Sequence, residues 1–68
     1  MQKLAKKLGY NFKRIREENG LTQGDVFRSS KIDRAYICRV ESGQVNPTLE
    51  NLNKLAHALA VEAWELIK

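Results

Sequence analysis

Three residues, Ser30 to Ile32, separate two stretches that both read as short helices. The first opens at Leu21-Thr22-Gln23, with Thr22 as N-cap. Asp25, three residues on, completes a weak capping box at a place more usually held by Glu or Gln. Val26 and Phe27 supply its apolar face, and it ends by Ser29 or Ser30. The second runs from Asp33 to Gly43. Asp33 is a good N-cap, because its carboxylate can accept from a free amide of the first turn. Gly43 can take the left-handed conformation that ends a helix. Two short helices joined by so few residues do not lie antiparallel with comfort, so they cross steeply.

Within the second stretch, Ile37 and Val40 are three apart and share one face, with Ile32 just ahead of the cap. Arg34, Ala35, Cys38 and Arg39 fall largely elsewhere. The result is a narrow apolar seam and an outer surface that is cationic in its N-terminal half. Two readings fit this stretch by itself. Such a helix can enter a DNA major groove, where Arg makes two hydrogen bonds to one guanine. It can equally be a solvated amphipathic helix with two ordinary surface arginines. The formal net charge is +4, and it is uneven. Residues 1–39 hold ten Lys or Arg against four Asp or Glu, a balance of +6, whereas residues 40–68 hold two against four, a balance of −2. That asymmetry suits one face to a polyanion. A basic patch also suits an acidic protein or a membrane, so charge alone does not choose the partner.

Leu4, Leu8, Phe12 and Ile15 recur at helical spacing and predict an amphipathic helix over roughly residues 3–19. Gly9 inside it costs about 1 kcal/mol relative to Ala, so a later start, with residues 1–7 as a loose basic arm, is the alternative. Asn19-Gly20 is a stop signal. After a loop at Gln44 to Pro47, Thr48 is the N-cap of a fourth helix. Its stripe is Leu49, Leu52, Leu55, Ala56 and Leu59, with Asn51, Asn53, Lys54 and His57 on the other face. Ala60-Val61 leads to a last helical turn or two over Glu62 to Lys68. The fold expected is all-α with five helices, as one domain spanning residues 1–68.

At 68 residues such a domain buries only about 60% of its unfolded surface. One Cys cannot form an internal disulfide, no apolar run approaches the ~20 residues that span a bilayer, and the lysines of residues 1–8 precede no hydrophobic region. The cytoplasm is therefore the expected location. One His, one Cys and no phosphate-cradling Gly loop leave no parts for a catalytic or metal site, so no enzyme activity and no cofactor are expected.

The order and spacing of several short pieces resemble the lambda-repressor-like, or Xre, helix-turn-helix domain. They are Leu8-Gly9, Ile15-Arg16, Leu21-Thr22-Gln23, Ile32-Asp33-Arg34, Tyr36-Ile37, Arg39-Val40-Glu41-Ser42-Gly43, Asn46-Pro47-Thr48, and Leu55-Ala56 with Leu59. The segment from Ser30 to Ile37 is similar to controller proteins of restriction–modification systems. The resemblance implies a cytoplasmic transcriptional regulator that binds double-stranded DNA as a homodimer. It implies that Asp33 to Ser42 is the recognition helix, with Arg34, Ala35, Tyr36 and Arg39 at its contact positions. Thr22 and Gln23 then stand where a helix N-terminus holds a phosphate, and Gln44, Val45 and Asn46 form a loop against the sugar-phosphate chain. Arg16 and Glu41 match a pair that links the first and third helices. Tyr36 is either a DNA contact or a rim residue of the core. Cys38 is either near the DNA or a half-buried inert thiol.

Trp64 is either an anchor of the dimer, joined by Val61 and Ile67, or a lid over the core; Leu66 reads as core. Two departures from the family pattern bear on the crossing of the second and third helices: Phe27 stands where Ala is usual and Lys31 where Gly is frequent. Ala60 also stands where Gly is common. A protein-interaction module on the same fold, an antitoxin or a polymerase-binding adaptor, is the alternative function. Contact with RNA polymerase is compatible with both.

Overall fold

The computed structural model describes residues 2–68. It contains four α-helices, α1 (Gln2–Glu18), α2 (Gln23–Ser30), α3 (Arg34–Glu41) and α4 (Leu49–Ala58), followed by a 3-10 turn at Ala63–Leu66. No strand occurs among the described residues. The fifth helix is thus one 3-10 turn rather than an α-helix. Glu65 N bonds to Glu62 O at 3.0 Å and Ile67 N to Trp64 O at 3.2 Å. Four residues suffice for such i→i+3 bonds but not for an α-helical ladder.

The helix starts follow from local chemistry. Thr22 Oγ1 accepts from Asp25 N at 3.0 Å, while Asp25 Oδ2 accepts from Thr22 N at 2.8 Å, a reciprocal capping box. Thr48 Oγ1 accepts from Asn51 N at 3.1 Å. Asp33 does hold the N-cap position of α3, but its side chain caps nothing. Its carbonyl instead takes the Ile37 amide at 3.0 Å.

The helix ends share one device. After α3, Gly43 N bonds to Val40 O at 3.1 Å and Gln44 N to Arg39 O at 3.0 Å, with Gly43 at φ +75°. This is the Schellman arrangement. Lys31 (φ 64°) and Ala60 (φ 59°) take the same left-handed region without being glycine. The departures at Lys31 and Ala60 therefore carry backbone strain of roughly 1–2 kcal/mol each.

α1 packs on α3 and on the C-terminal turn, α2 packs on α3 and α4, and α4 packs on the C-terminal turn. The core is Leu8, Phe12, Ile15, Val26, Ile32, Ile37, Val40, Leu55, Ala56, Leu59 and Leu66. Of the predicted stripe residues, Leu52 packs half-buried against the core and two stand outside it. Leu4 is 53% exposed and Leu49 81% exposed, each in the opening turn of its helix; on α1 the neighbouring Ala5 is buried in place of Leu4, about 100° round the helix. Phe27 also leaves the core; it is exposed while its neighbour Val26 is sealed. Adjacent helical residues point about 100° apart, so only one of them can face inward.

Gly9 does not delay the start of α1, and the loose arm over residues 1–7 is overturned from Gln2 onward; Met1 lies outside the described residues. A Cβ on Gly9 would stand 2.4 Å from Val40 O and 2.8 Å from Glu41 O. The glycine is there because α1 and α3 meet backbone to backbone. No helix among the described residues is long and apolar enough to cross a membrane.

Candidate nucleic-acid interface

α3 packs on α1 and α2 and leaves its other side open. Ile37 and Val40 are fully buried, whereas Asp33, Arg34, Ala35, Cys38 and Arg39 are exposed. Tyr36 is half-buried and packs on the rim of the core. The half-buried placement of Cys38 does not hold. One position past Ile37, it has turned away from the seam onto the same open face as Arg34 and Arg39.

The first turn of α2 abuts this face. Thr22 Oγ1 satisfies the Asp25 amide and the Thr22 carbonyl satisfies the Val26 amide, leaving the amides of Gln23 and Gly24 to the outside. A Cβ on Gly24 would lie 3.6 Å from Arg28 Nη1 and 3.9 Å from Arg34 Cζ. Guanidinium groups from α2 and α3 therefore converge on these free amides. Arg28 also pairs with Asp25, whereas no carboxylate pairs with Arg34 or Arg39 among the described residues. The Asp25 carboxyl is held below the usual carboxylate range, first by the Thr22 amide it accepts from and further by Arg28.

Beneath the open face lies a polar lock. Arg16 Nε donates to Glu41 Oε2 at 2.6 Å and Arg16 Nη2 to Glu41 Oε1 at 3.2 Å. Arg16 Nη1 donates to Leu21 O at 2.7 Å, and Gln23 Nε2 donates to Glu41 Oε1 at 3.0 Å. One carboxylate thus holds α1, the start of α2 and the end of α3 together. The pair is nearly buried, with side-chain exposures of 11% and 7%. Its hydrogen bond with Glu41 keeps Arg16 above its usual pKa. Because Glu41 can only accept, it fixes the Gln23 amide with its nitrogen inward.

In the loop after α3, Gln44 and Asn46 are exposed and Val45 packs half-buried against the core. The Gln44 amide is already spent on Arg39 O at 3.0 Å, so its side chain and the two following residues are what the loop has free. The C-terminal segment, which packs on α1 and α4 and not on α3, carries Trp64 at 59% exposure and Ile67 at 38%, with Val61 half-buried on the core. Leu66 is fully buried, as expected of a core residue, whereas the larger part of Trp64 faces outward. Lys68 Nζ sits 5.2 Å from the Trp64 ring centroid, within cation–π range.

Sequence reasoning missed two residues that build this arrangement. Arg28 reaches the start of α2 only because its side chain runs back along the helix. Asn11 is buried and donates to Leu66 O at 3.0 Å, tying α1 to the chain end. An Asn between Leu8 and Phe12 on an apolar stripe is the signal that could have found it.

The comparisons with known proteins agree with this geometry. The helix-turn-helix family model HTH_3 matches residues 12–63. The chain is 42% identical over 64 residues to the uncharacterised HTH-type transcriptional regulator y4dJ of Sinorhizobium fredii, covering 94% of this chain and 83% of that protein. The restriction–modification controller protein C.AhdI of Aeromonas hydrophila is similar in structure, with a TM-score of 0.87 at 40% identity, over 91% of this chain and 94% of its own. The controller protein C.Esp1396I, crystallised as a tetramer with its natural 35 base-pair operator, gives a TM-score of 0.82 at 32% identity over 96% of each chain. An all-α crossing with an open cationic helix, matched by family over most of its length, leaves one assignment: the chain belongs to the Xre-like helix-turn-helix family of DNA-binding transcriptional regulators.

Proposed function

We propose that this regulator reads a specific, pseudo-palindromic operator as a homodimer, with α3 in the major groove, and that it controls a restriction–modification system from the cytoplasm. The observation that carries the reading is the open face of α3, where Arg34 and Arg39 are exposed without an ion-pair partner among the described residues and Arg34 stands beside the free amides that start α2. The lysines and arginines displace counterions from phosphate and supply sequence-independent affinity. The amides of Gln23 and Gly24, with Thr22 at the cap, hold one phosphate; Gln44, Val45 and Asn46 meet the backbone further on. Register fixed, Arg34 and Arg39 select bases, each good contact worth about 1–3 kcal/mol. Ala35 permits close approach, Tyr36 borders the contact, and Asp33 begins the helix that carries them.

An eight-residue helix reads only a few base pairs. A two-fold pair of such helices reads two half-sites about 34 Å apart. Val61, Trp64 and Ile67 form the dimer surface, because exposed large aromatics are favoured interface anchors. Lys68 then yields its place over the Trp64 ring to the partner subunit. The likeness to C.AhdI and C.Esp1396I supports the controller role.

In-vitro selection from a random duplex DNA pool, with wild type and Arg34→Ala in parallel, tests the reading. An enriched inverted repeat that is lost or relaxed in the variant supports it. Absence of any enrichment, with only weak salt-sensitive binding, moves the assignment to a protein adaptor. Trp64→Ala should weaken self-association in sedimentation; unchanged dimerisation removes Trp64 from the interface.

A further inference from the structure

The backbone contact at Gly9 has a consequence one turn earlier on α1. A Cβ on Gly43 would lie 2.9 Å from Lys6 Cγ and 3.2 Å from Lys6 Cα. The stem of Lys6 therefore occupies the space that a side chain at position 43 would fill. Gly43 is doubly required, by this stem and by its φ of +75°. Lys6 itself is exposed, and no carboxylate pairs with it among the described residues. The base of the Lys6 stem is thus seated beside the residue that leads directly into the Gln44–Asn46 loop, within a side chain's length of that loop.

Nothing on α1 itself employs the charge, since Lys6 has no ion-pair partner among the described residues. The lysine stem is also flexible and its head a strongly hydrated point charge, a form suited to phosphate contact without base preference.

We infer that Lys6 is a DNA-phosphate contact that carries the interface from the α3 loop onto the first turns of α1, outside the base-reading residues. This rests on the operator-binding reading above, in which the Gln44–Asn46 loop meets the sugar-phosphate chain. Lys6 adds affinity and no sequence preference. Its rival role is internal: the stem lies against Gly43, just past the C-terminus of α3, where a cation stabilises a helix end.

The test is duplex binding by wild type, Lys6→Gln, Lys6→Arg and Lys54→Gln over a range of salt, using the selected repeat, or random-sequence duplex if none is enriched. Lys54, paired with Glu50 on α4, is the distant control. Loss of one phosphate contact makes the slope of log K against log salt shallower by about 0.9, so the wild-type advantage over Lys6→Gln should shrink about threefold between about 50 and 200 mM. Lys6→Arg should restore the slope, Lys54→Gln should leave it unchanged, and base preference should be unaltered throughout. A Lys6→Gln slope equal to wild type overturns the inference, and a lowered thermal midpoint alongside it assigns Lys6 to the end of α3. Failure of the operator reading itself shows earlier and separately, as wild type that binds neither duplex with salt dependence.

Discussion

Gly9→Ala sets helix propensity directly against packing. In an exposed helix the change gains about 1 kcal/mol. Here the new Cβ would meet Val40 O at 2.4 Å and Glu41 O at 2.8 Å, and both are backbone atoms of α3 with no rotamer to escape into. Reaching ordinary contact at 3.4 Å requires α1 and α3 to part by up to 1.0 Å. Overpacking of a close-packed site costs roughly 1–3 kcal/mol, and rigid carbonyls place this one at the upper end. The expected net loss is about 1–2 kcal/mol. For a domain of this size that corresponds to a fall in Tm of roughly 5–15 °C.

Gly24→Ala is the matched control. Its Cβ would find nothing nearer than 3.6 Å, so the reduced freedom of the unfolded chain should stabilise it by about 0.4–1 kcal/mol. Thermal and urea unfolding followed by far-UV circular dichroism, at one fixed protein concentration because of any linked association, measures both. A Gly9→Ala protein as stable as wild type, or two variants shifted alike, would refute the backbone-contact reasoning.

Three further outcomes follow from the same geometry. Arg16→Met leaves the Glu41 carboxylate almost buried with only Gln23 to satisfy it, and should cost about 3–5 kcal/mol; replacing Glu41 by Leu as well should recover much of it in a double-mutant cycle. Lys31→Gly relieves the left-handed backbone at φ 64° at the expense of chain entropy, and should raise stability by roughly 0.5–1 kcal/mol by urea titration; a loss would show that the turn is unstrained. The folded Asp25 carboxyl titrates below its usual range, so its capping contribution is complete above the ordinary aspartate pKa and fades as pH falls through the lowered folded value. Asp25→Asn should therefore flatten the acid limb of a stability–pH profile, and an unchanged limb would place the acid sensitivity elsewhere.

What the chain determines by itself is local. Thr22 with Asp25 and Thr48 set helix starts, Gly43 sets a stop, and the spacing of Ile37 and Val40 turns Arg34 and Arg39 outward. These interactions span at most five residues and hold whatever the rest of the chain does. The family pattern was legible for the same reason, as a row of such signals in order.

Other features were settled only when helices met. Apolar spacing promised Leu4 and Leu49 to the core, but both are exposed, and on α1 Ala5 is buried in place of Leu4. Composition alone read Gly9 as a weakness, whereas the approach of Val40 and Glu41 makes it a requirement. The convergence of Arg28 with Arg34, and the seat of Lys6 on Gly43, likewise exist only at crossings. Arg16 and Glu41 are 25 residues apart, and their 2.6 Å contact depends on the angle at which α1 crosses α3. Periodicity reports which face of a helix is apolar. The angle and distance between helices are set by how side chains and bare backbone fit across the contact, which no single helix encodes.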